Sequence, residues 1–428
     1  MDSSSARIAF WGNIANAHFP VVRALREHGV DAHLFINDRD PAGWRPESDD
    51  PTLRTGNGYP DWIHEGPWLR PLHVVAPWRS PIIEELNTFD LIVASGTSPT
   101  VTQFAEPPVA FYTTGGDITV RPFPIAFRHR RGKLPQQIAH GVIGLWQRRA
   151  IRRTAQFWTQ PFAPFLDALR RLDVDPDRIA DTYLPLIVDT ETFRPNPTEV
   201  PGWAESLVPD SDFVVFHPSR LVLDSSPLMM RSGQTKGSGE LLDGFAEFVQ
   251  RGVARHPVLL LPDNPASPEK QQALDRIAML GIDEHVVWAK PPRSTGFDRA
   301  EMVHLYNRAD VTVNEFGAGW FGWVALESMA CGVPVVSRID EAGIAKLYDD
   351  QHPWIHAQDA SELVQRLTEL ANDRPRLEEV GRDSVSWIKR HHGVDTAGRR
   401  AVSSIHEAID ELRASTPNRQ SDEFPKAA

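Results

Sequence analysis

The chain has 428 residues, 41% of them apolar and 24% charged, a globular balance that excludes a disordered or fibrous polypeptide. At ~150 residues per domain, this length predicts two large domains or about three smaller ones. The lone cysteine, Cys331, excludes an internal disulfide and a cysteine-built zinc site, and the net charge of -12 argues against nucleic acid as a partner, because phosphate binding is dominated by Lys and Arg.

From the N-terminus, RIAFWG, NIANAHF, PVVRALREHG and VDAHLFI read as strand, loop, helix and strand, with Pro20 opening the helix and Gly29 closing it. The start itself, MDSSSARIAFWG, lacks the positive charge and apolar core of a secretory signal, and no stretch reaches the ~18 apolar residues of a membrane span. A cytoplasmic protein is expected. Residues 38 to 88 read as an irregular, Pro-rich loop carrying Trp44, Trp62, Trp68 and Trp78, followed by the apolar run FDLIVASG and then PVAFYTTGGD. A basic helical segment, the short strand FWTQ and the stretch TYLPLIVDTETFRP lead to a hinge punctuated by Pro197 and Pro201. Beyond it DFVVFHPSR, HPVLLLP, HVVWAK, DVTVNE and VPVVS alternate with helical segments such as GELLDGFAEFVQRG and GWVALESMACG. That alternation predicts βαβ units and two Rossmann-like domains with parallel sheets. The expected boundaries are an N-terminal domain over 1–200, a C-terminal domain over 201–395, a helix over 396–414 packing back on the N-terminal domain, and a disordered tail over 415–428.

Ligands of doubly wound sheets bind beyond the carboxyl ends of the strands, and two such sheets facing each other enclose a central cleft. After DFVVFHP come Ser219 and Arg220, and further on Thr235, Lys236 and Gly237 precede a helix. Cations beside a helix N-terminus form an anion site, although solvated surface charge is the alternative. Glu315 ends DVTVNE, and Glu327 sits in an apolar helix where a carboxylate needs a partner, either ribose hydroxyls or the backbone.

These segments resemble the retaining GT-B glycosyltransferases of glycosyltransferase family 4. The likeness rests on FGWVALESMACGVPVVS preceded by RAEMVHLYNRADVTV, on HPSRLVL with TKGSGELLDGF, and on YLPLIVDTETFRP. It covers roughly residues 183 to 405, and residues 1 to 182 share only the Rossmann pattern. The resemblance implies an α/β GT-B fold and a retaining, metal-independent transfer from a nucleoside-diphosphate sugar, UDP favoured over GDP. It implies no cofactor and a small-molecule, glycan or lipid-linked acceptor on the N-terminal domain. Arg220 and Lys236 would be the catalytic cations on the diphosphate, and Glu327 would hold the ribose. Counting back eight positions from Glu327 reaches Gly319, where the family's Glu-x7-Glu signature has its first Glu. That absence leaves Glu315 as a stand-in and puts Trp320, Phe321 and Gly322 beside the donor. In TTGGD, Gly115 replaces the family's His and leaves Asp117 as an acceptor or sugar contact. Gly12, Asn13, Asn16 and His18 occupy the first loop facing the cleft. These departures leave two alternatives open, a pseudoglycosyltransferase using a non-sugar nucleotide-linked group and a catalytically silent partner protein.

Between Arg220 and Lys236 lies an insertion with Met229, Met230 and Arg231, either a flap over the donor or an exposed loop. From Ile118 to Leu166 there is no acidic residue but nine basic ones: Arg121, Arg128, Arg130, Arg131, Lys133, Arg148, Arg149, Arg152 and Arg153. Arg148 with Arg152, and Arg149 with Arg153, share helical faces. Peripheral contact of 121–153 with an anionic membrane at the inner face is one expectation, an anionic acceptor or a solvated helix the others.

Overall fold

The computed structural model describes residues 6–54, 58–123, 134–180, 184–196, 201–208, 210–224, 226–264, 267, 269–291, 296–317 and 319–414. Arg128, Arg130, Arg131, Lys133, Pro197 and the expected tail over 415–428 lie outside the described residues.

Two six-stranded parallel sheets organise the chain. The first holds β1 (Arg7–Trp11), β2 (Asp31–Asn37), β3 (Ile63–Gly66), β4 (Leu91–Ala94), β5 (Val109–Tyr112) and β6 (Gln156–Trp158) in the order β3-β2-β1-β4-β5-β6. The second holds β7 (Phe213–Phe216), β8 (Pro257–Pro262), β9 (Val286–Ala289), β10 (Val311–Val313), β11 (Val335–Ser337) and β12 (Ile355–His356), ordered β12-β11-β10-β7-β8-β9. Renumbered within its own domain, the second order is the first read backwards, so each sheet has one point where the winding reverses: between β1 and β4, and between β7 and β10.

Helices cover both sheet faces, which is why the central strands read as continuous apolar runs rather than alternating ones. Strand period sorts their side chains: Phe213 and Val215 enter one core, and Val214 and Phe216 the other. The second of these cores is continuous through Leu186, Ile187, Val188 and Phe193 with the core around Ile8 and Phe10, so the two domains share one apolar cluster. Helix Val394–Ala414 packs on helix His18–Glu27, where a Cβ on Gly398 would lie 3.2 Å from that of Ala24.

One stretch departs from the expected order. The stretch over 38–88 is not structureless, because it supplies edge strand β3 and the helices Pro71–Val75 and Ile82–Leu86. Its tryptophans also serve packing: Trp62 stacks on Phe19 at 6.0 Å, and Trp68 meets Phe35 edge-on at 6.1 Å.

Candidate functional site

The loops after β7 and β10 are knitted together. Ser219 Oγ donates to Asn314 Oδ1 (3.1 Å), the backbone N–H of Phe316 donates to the carbonyl of Lys236 (3.0 Å), and the N–H of Val222 donates to Ser238 Oγ (2.9 Å). Those bonds hold Arg220 and Lys236 at the mouth of the reversal point, with Lys236 just before helix Ser238–Gln250. Lys236 Nζ pairs with the buried carboxylate of Glu315. Behind them His217 is fully buried, with Nδ1 on the Val313 carbonyl (2.8 Å), and burial pushes its pKa down to about 4.

Two cavities meet here, both touching Ser219 and Arg220. One, of about 600 Å³, lies over the ends of β8 and β9 among Trp288, Lys290, Phe297 and Met302. The other, of about 400 Å³, lies between the domains. Its C-terminal wall includes Lys236, Asn314, Glu315, Trp320, Phe321 and Gly322; its N-terminal wall includes Ala15, Tyr112, Thr114, Gly115 and Gly116. Trp320 stacks on Phe321 at 4.2 Å and reaches Phe162 of the first domain at 6.2 Å.

Several expected site residues stand behind these walls rather than in them. Gly319 has φ +79, and a Cβ there would lie 3.2 Å from the Asp340 backbone nitrogen. A glutamate at that position would therefore be strained as well as crowded. Glu327 borders neither cavity. It is buried, accepts from Tyr306 Oη (3.0 Å) and pairs with Arg299 at 3.5 Å, and Arg299 in turn binds Asp49 of the N-terminal domain at 2.7 Å. Burial raises the pKa of both carboxyls, with the Arg299 guanidinium opposing that rise. The bonds at Asp298 explain why Arg299 sits there: Asp298 Oδ1 accepts from the N–H of Glu301 (2.9 Å) and Glu301 Oε2 from the N–H of Asp298 (2.8 Å), a capping box that starts the helix at Arg299.

In the first domain Asp117 accepts from the N–H groups of Gly115 (2.8 Å) and Gly96 (3.1 Å) and from Thr114 Oγ1 (2.9 Å). It therefore shapes the TTGG turn that faces the cavity, and burial raises its pKa. Asn13 likewise caps its own loop: Oδ1 accepts from the N–H of His18 (2.9 Å), while Nδ2 donates to Asn16 Oδ1 (2.6 Å) and to the Trp44 carbonyl (2.7 Å). Asn16 turns to Ser48, and Gly12 accepts from Ser95 Oγ. His18 is buried between Phe10 and Tyr112, its pKa pushed down to about 3. None of the four tryptophans of 38–88 borders either cavity.

The structure adds three residues that the motifs do not single out: Arg299, Asp49 and Gln234. Gln234, on the insertion that carries helix Pro227–Arg231, lies across the cavity from the first domain, where a Cβ on Gly115 would sit 3.7 Å from its Nε2.

Two facing Rossmann-like domains with a cleft at their reversal points define the GT-B fold. The solved structure of Anabaena Alr3699/HepE in complex with UDP-glucose superposes with a TM-score of 0.62 at 17% identity, over 96% of this chain and 100% of that one. Sucrose-phosphate synthase from Thermosynechococcus elongatus gives 0.61 at 14% identity, over the same shares. Residues 229–373 match the family described as Glycosyl transferases group 1. Among curated proteins, the D-inositol 3-phosphate glycosyltransferase of Frankia alni is 32% identical over 253 residues, 55% of this chain and 56% of its own length. D-inositol 3-phosphate glycosyltransferase 2 of Catenulispora acidiphila is 26% identical over 256 residues, 58% and 55% of the two chains. The chain thus spans about half the length of the curated relatives it matches.

Proposed function

We propose that this protein is a glycosyltransferase of the retaining, metal-independent kind, moving a sugar from a nucleoside diphosphate, UDP favoured, to a hydroxyl-bearing acceptor on the N-terminal domain. The observation that carries the reading is the shared waist: Arg220 and Ser219 border both cavities. The 600 Å³ cavity, with an indole and a phenyl ring in its wall, suits a nucleoside, and the inter-domain cavity suits the sugar and acceptor. A diphosphate then lies between them, against Arg220 and Lys236. Two fixed cations stabilise the charge that grows on the leaving diphosphate, which is the support for metal independence. The neighbour holding UDP-glucose agrees with this donor class, and the curated relatives named D-inositol 3-phosphate glycosyltransferases agree with glycosyl transfer.

A second reading, a nucleotide-binding but silent partner protein, draws on the pairing of Lys236 with Glu315 and of Glu327 with Arg299. Calorimetry with UDP, UDP-glucose, GDP and dTDP separates the two readings when combined with mass spectrometry of acceptor mixtures in EDTA. Binding of UDP with product formed is expected. Binding without any product would favour the silent partner, and no nucleotide binding would overturn both.

A further inference from the structure

The sheet faces and the cleft leave one surface unexplained. Among the described residues ten large apolar side chains are exposed, and six of them, Leu72, Val75, Trp78, Leu134, Ile138 and Leu145, fall on three neighbouring elements. Helix Leu134–Arg153 lies beside the short helix Pro71–Val75 and the turn Pro77–Arg79, with Trp78 meeting Trp146 at 5.8 Å. On the long helix Leu134, Ile138, Leu145, Arg149 and Arg152 follow one another at intervals of four, seven, four and three residues, which places them on one stripe. The stripe is apolar toward its start and basic toward its end. Arg79 is exposed beside Trp78 in the same way. Neither 71–80 nor 134–153 contains a carboxylate, although the chain as a whole carries a charge of -12.

We propose that this surface docks the protein on an anionic lipid bilayer, with Leu134, Ile138, Leu145 and Trp78 entering the headgroup region and Arg149, Arg152 and Arg153 meeting lipid phosphates. Three features favour a bilayer over another occupant. The apolar side chains project, with Leu145 67% exposed, so they suit insertion rather than reception of a partner's side chain. Indole rings at the apolar margin with arginines beside them match the chemistry of a membrane interface. A second copy of this chain would bring its own arginines against these. The inner face of the same helix reaches the cleft, since Gln147 Nε2 donates to the carbonyls of Gly96 (2.9 Å) and Asp117 (3.3 Å), behind the TTGG turn. Docking therefore holds the acceptor side of the cleft close to the lipid. The proposal does not depend on the donor assignment.

The test is flotation of the full chain with phosphatidylcholine vesicles, with and without 30% phosphatidylglycerol, at low and high salt. Wild type is expected to float with the anionic vesicles at low salt only. The variant Arg149→Glu/Arg152→Glu/Arg153→Glu is expected to lose roughly a hundred-fold in partitioning, and Leu134→Ser/Ile138→Ser/Leu145→Ser to lose binding as well. Light scattering and thermal melts run alongside, so that a fold defect in either variant is visible. No flotation of wild type would overturn the proposal, as would undiminished binding in both variants. A wild-type dimer that the Ser variant dissociates, without vesicle binding, would assign the surface to self-association instead.

Discussion

The two domains have the same strand order yet use their reversal points differently. Between β1 and β4 the crevice is closed by the chain itself: Ser95 Oγ donates to the Gly12 carbonyl, Ser98 Oγ to the Trp11 carbonyl (2.9 Å), and Asn13 ties the loop to Trp44. Between β7 and β10 the crevice stays open, with Arg220 and Lys236 at its mouth and a cavity on either side of Arg220. Topology offers a ligand site at both points, and the polar side chains of the loops decide which is filled by protein. What the first domain contributes is instead a wall, the residues next to its caps, aimed across the cleft.

The largest effect is expected where the two domains are joined by charge. Asp49, Arg299 and Glu327 form a buried ion pair and its extension, and removing the cation leaves two carboxylates without it. Arg299→Met should lower stability by about 3–5 kcal/mol, measured by urea unfolding at neutral pH. Asp49→Asn/Arg299→Met/Glu327→Gln should recover much of that loss. A single variant as stable as wild type would show that this junction does not hold the domains together.

Slightly smaller, and confined to the open crevice, is the effect on transfer. Lys236→Ala should cost roughly 10²–10³-fold in kcat if the cation stabilises the leaving diphosphate, whereas Asn13→Ala in the closed crevice should reduce stability by about 1 kcal/mol through the lost cap. Unfolding curves and initial rates on the same samples separate the two. Equal losses of rate would erase the distinction between an open and a closed crevice.

Both crevices also bury a neutral imidazole, His18 in the first domain and His217 in the second, and His392 adds a third. Folding pushes their pKa values down to about 3, about 4 and about 3. The unfolded chain takes up protons below pH ~6.5 while the folded one does not, so stability is complete above that pH and falls as pH drops. At pH 5.5 each histidine should cost about 1.4 kcal/mol. Urea midpoints at pH 7.5 and 5.5 measure the sum, and His18→Phe should remove about one third of it. A pH-independent midpoint would contradict the buried neutral state.

The difference between the domains also explains what could be read in the sequence. Arg220 and Lys236 were legible because a strand followed by a cation, and a cation followed by a helix, are local patterns. Strand β3 was not, since four residues at a sheet edge inside a Pro- and Trp-rich stretch carry little periodicity, and β12 has only two residues. Asn13 and Asp117 illustrate a deeper limit: a polar residue in a loop looks alike whether it faces a ligand or caps its own turn. Asp49 and Arg299 are 250 residues apart, and only the Asp298-to-Glu301 capping box marked locally where that arginine would stand.

The smallest expected effect probes the contact between the open crevice and the wall opposite. Gly115 presents no side chain to the cavity, and Gln234 of the C-terminal insertion takes the space in front of it, within 3.7 Å of the position a Cβ would hold. A carboxamide that offers both donors and an acceptor suits sugar hydroxyls, and its place two residues before Lys236 sets it next to the proposed diphosphate. Gln234→Ala should then weaken UDP-glucose binding about five-fold, the value of about one hydrogen bond, and leave UDP binding unchanged in calorimetry. An equal loss for both ligands would assign Gln234 to the nucleotide or to the order of its loop. No loss for either would leave the sugar to be held by the C-terminal wall alone, and the cross-cleft contact would then serve only to seat one domain on the other.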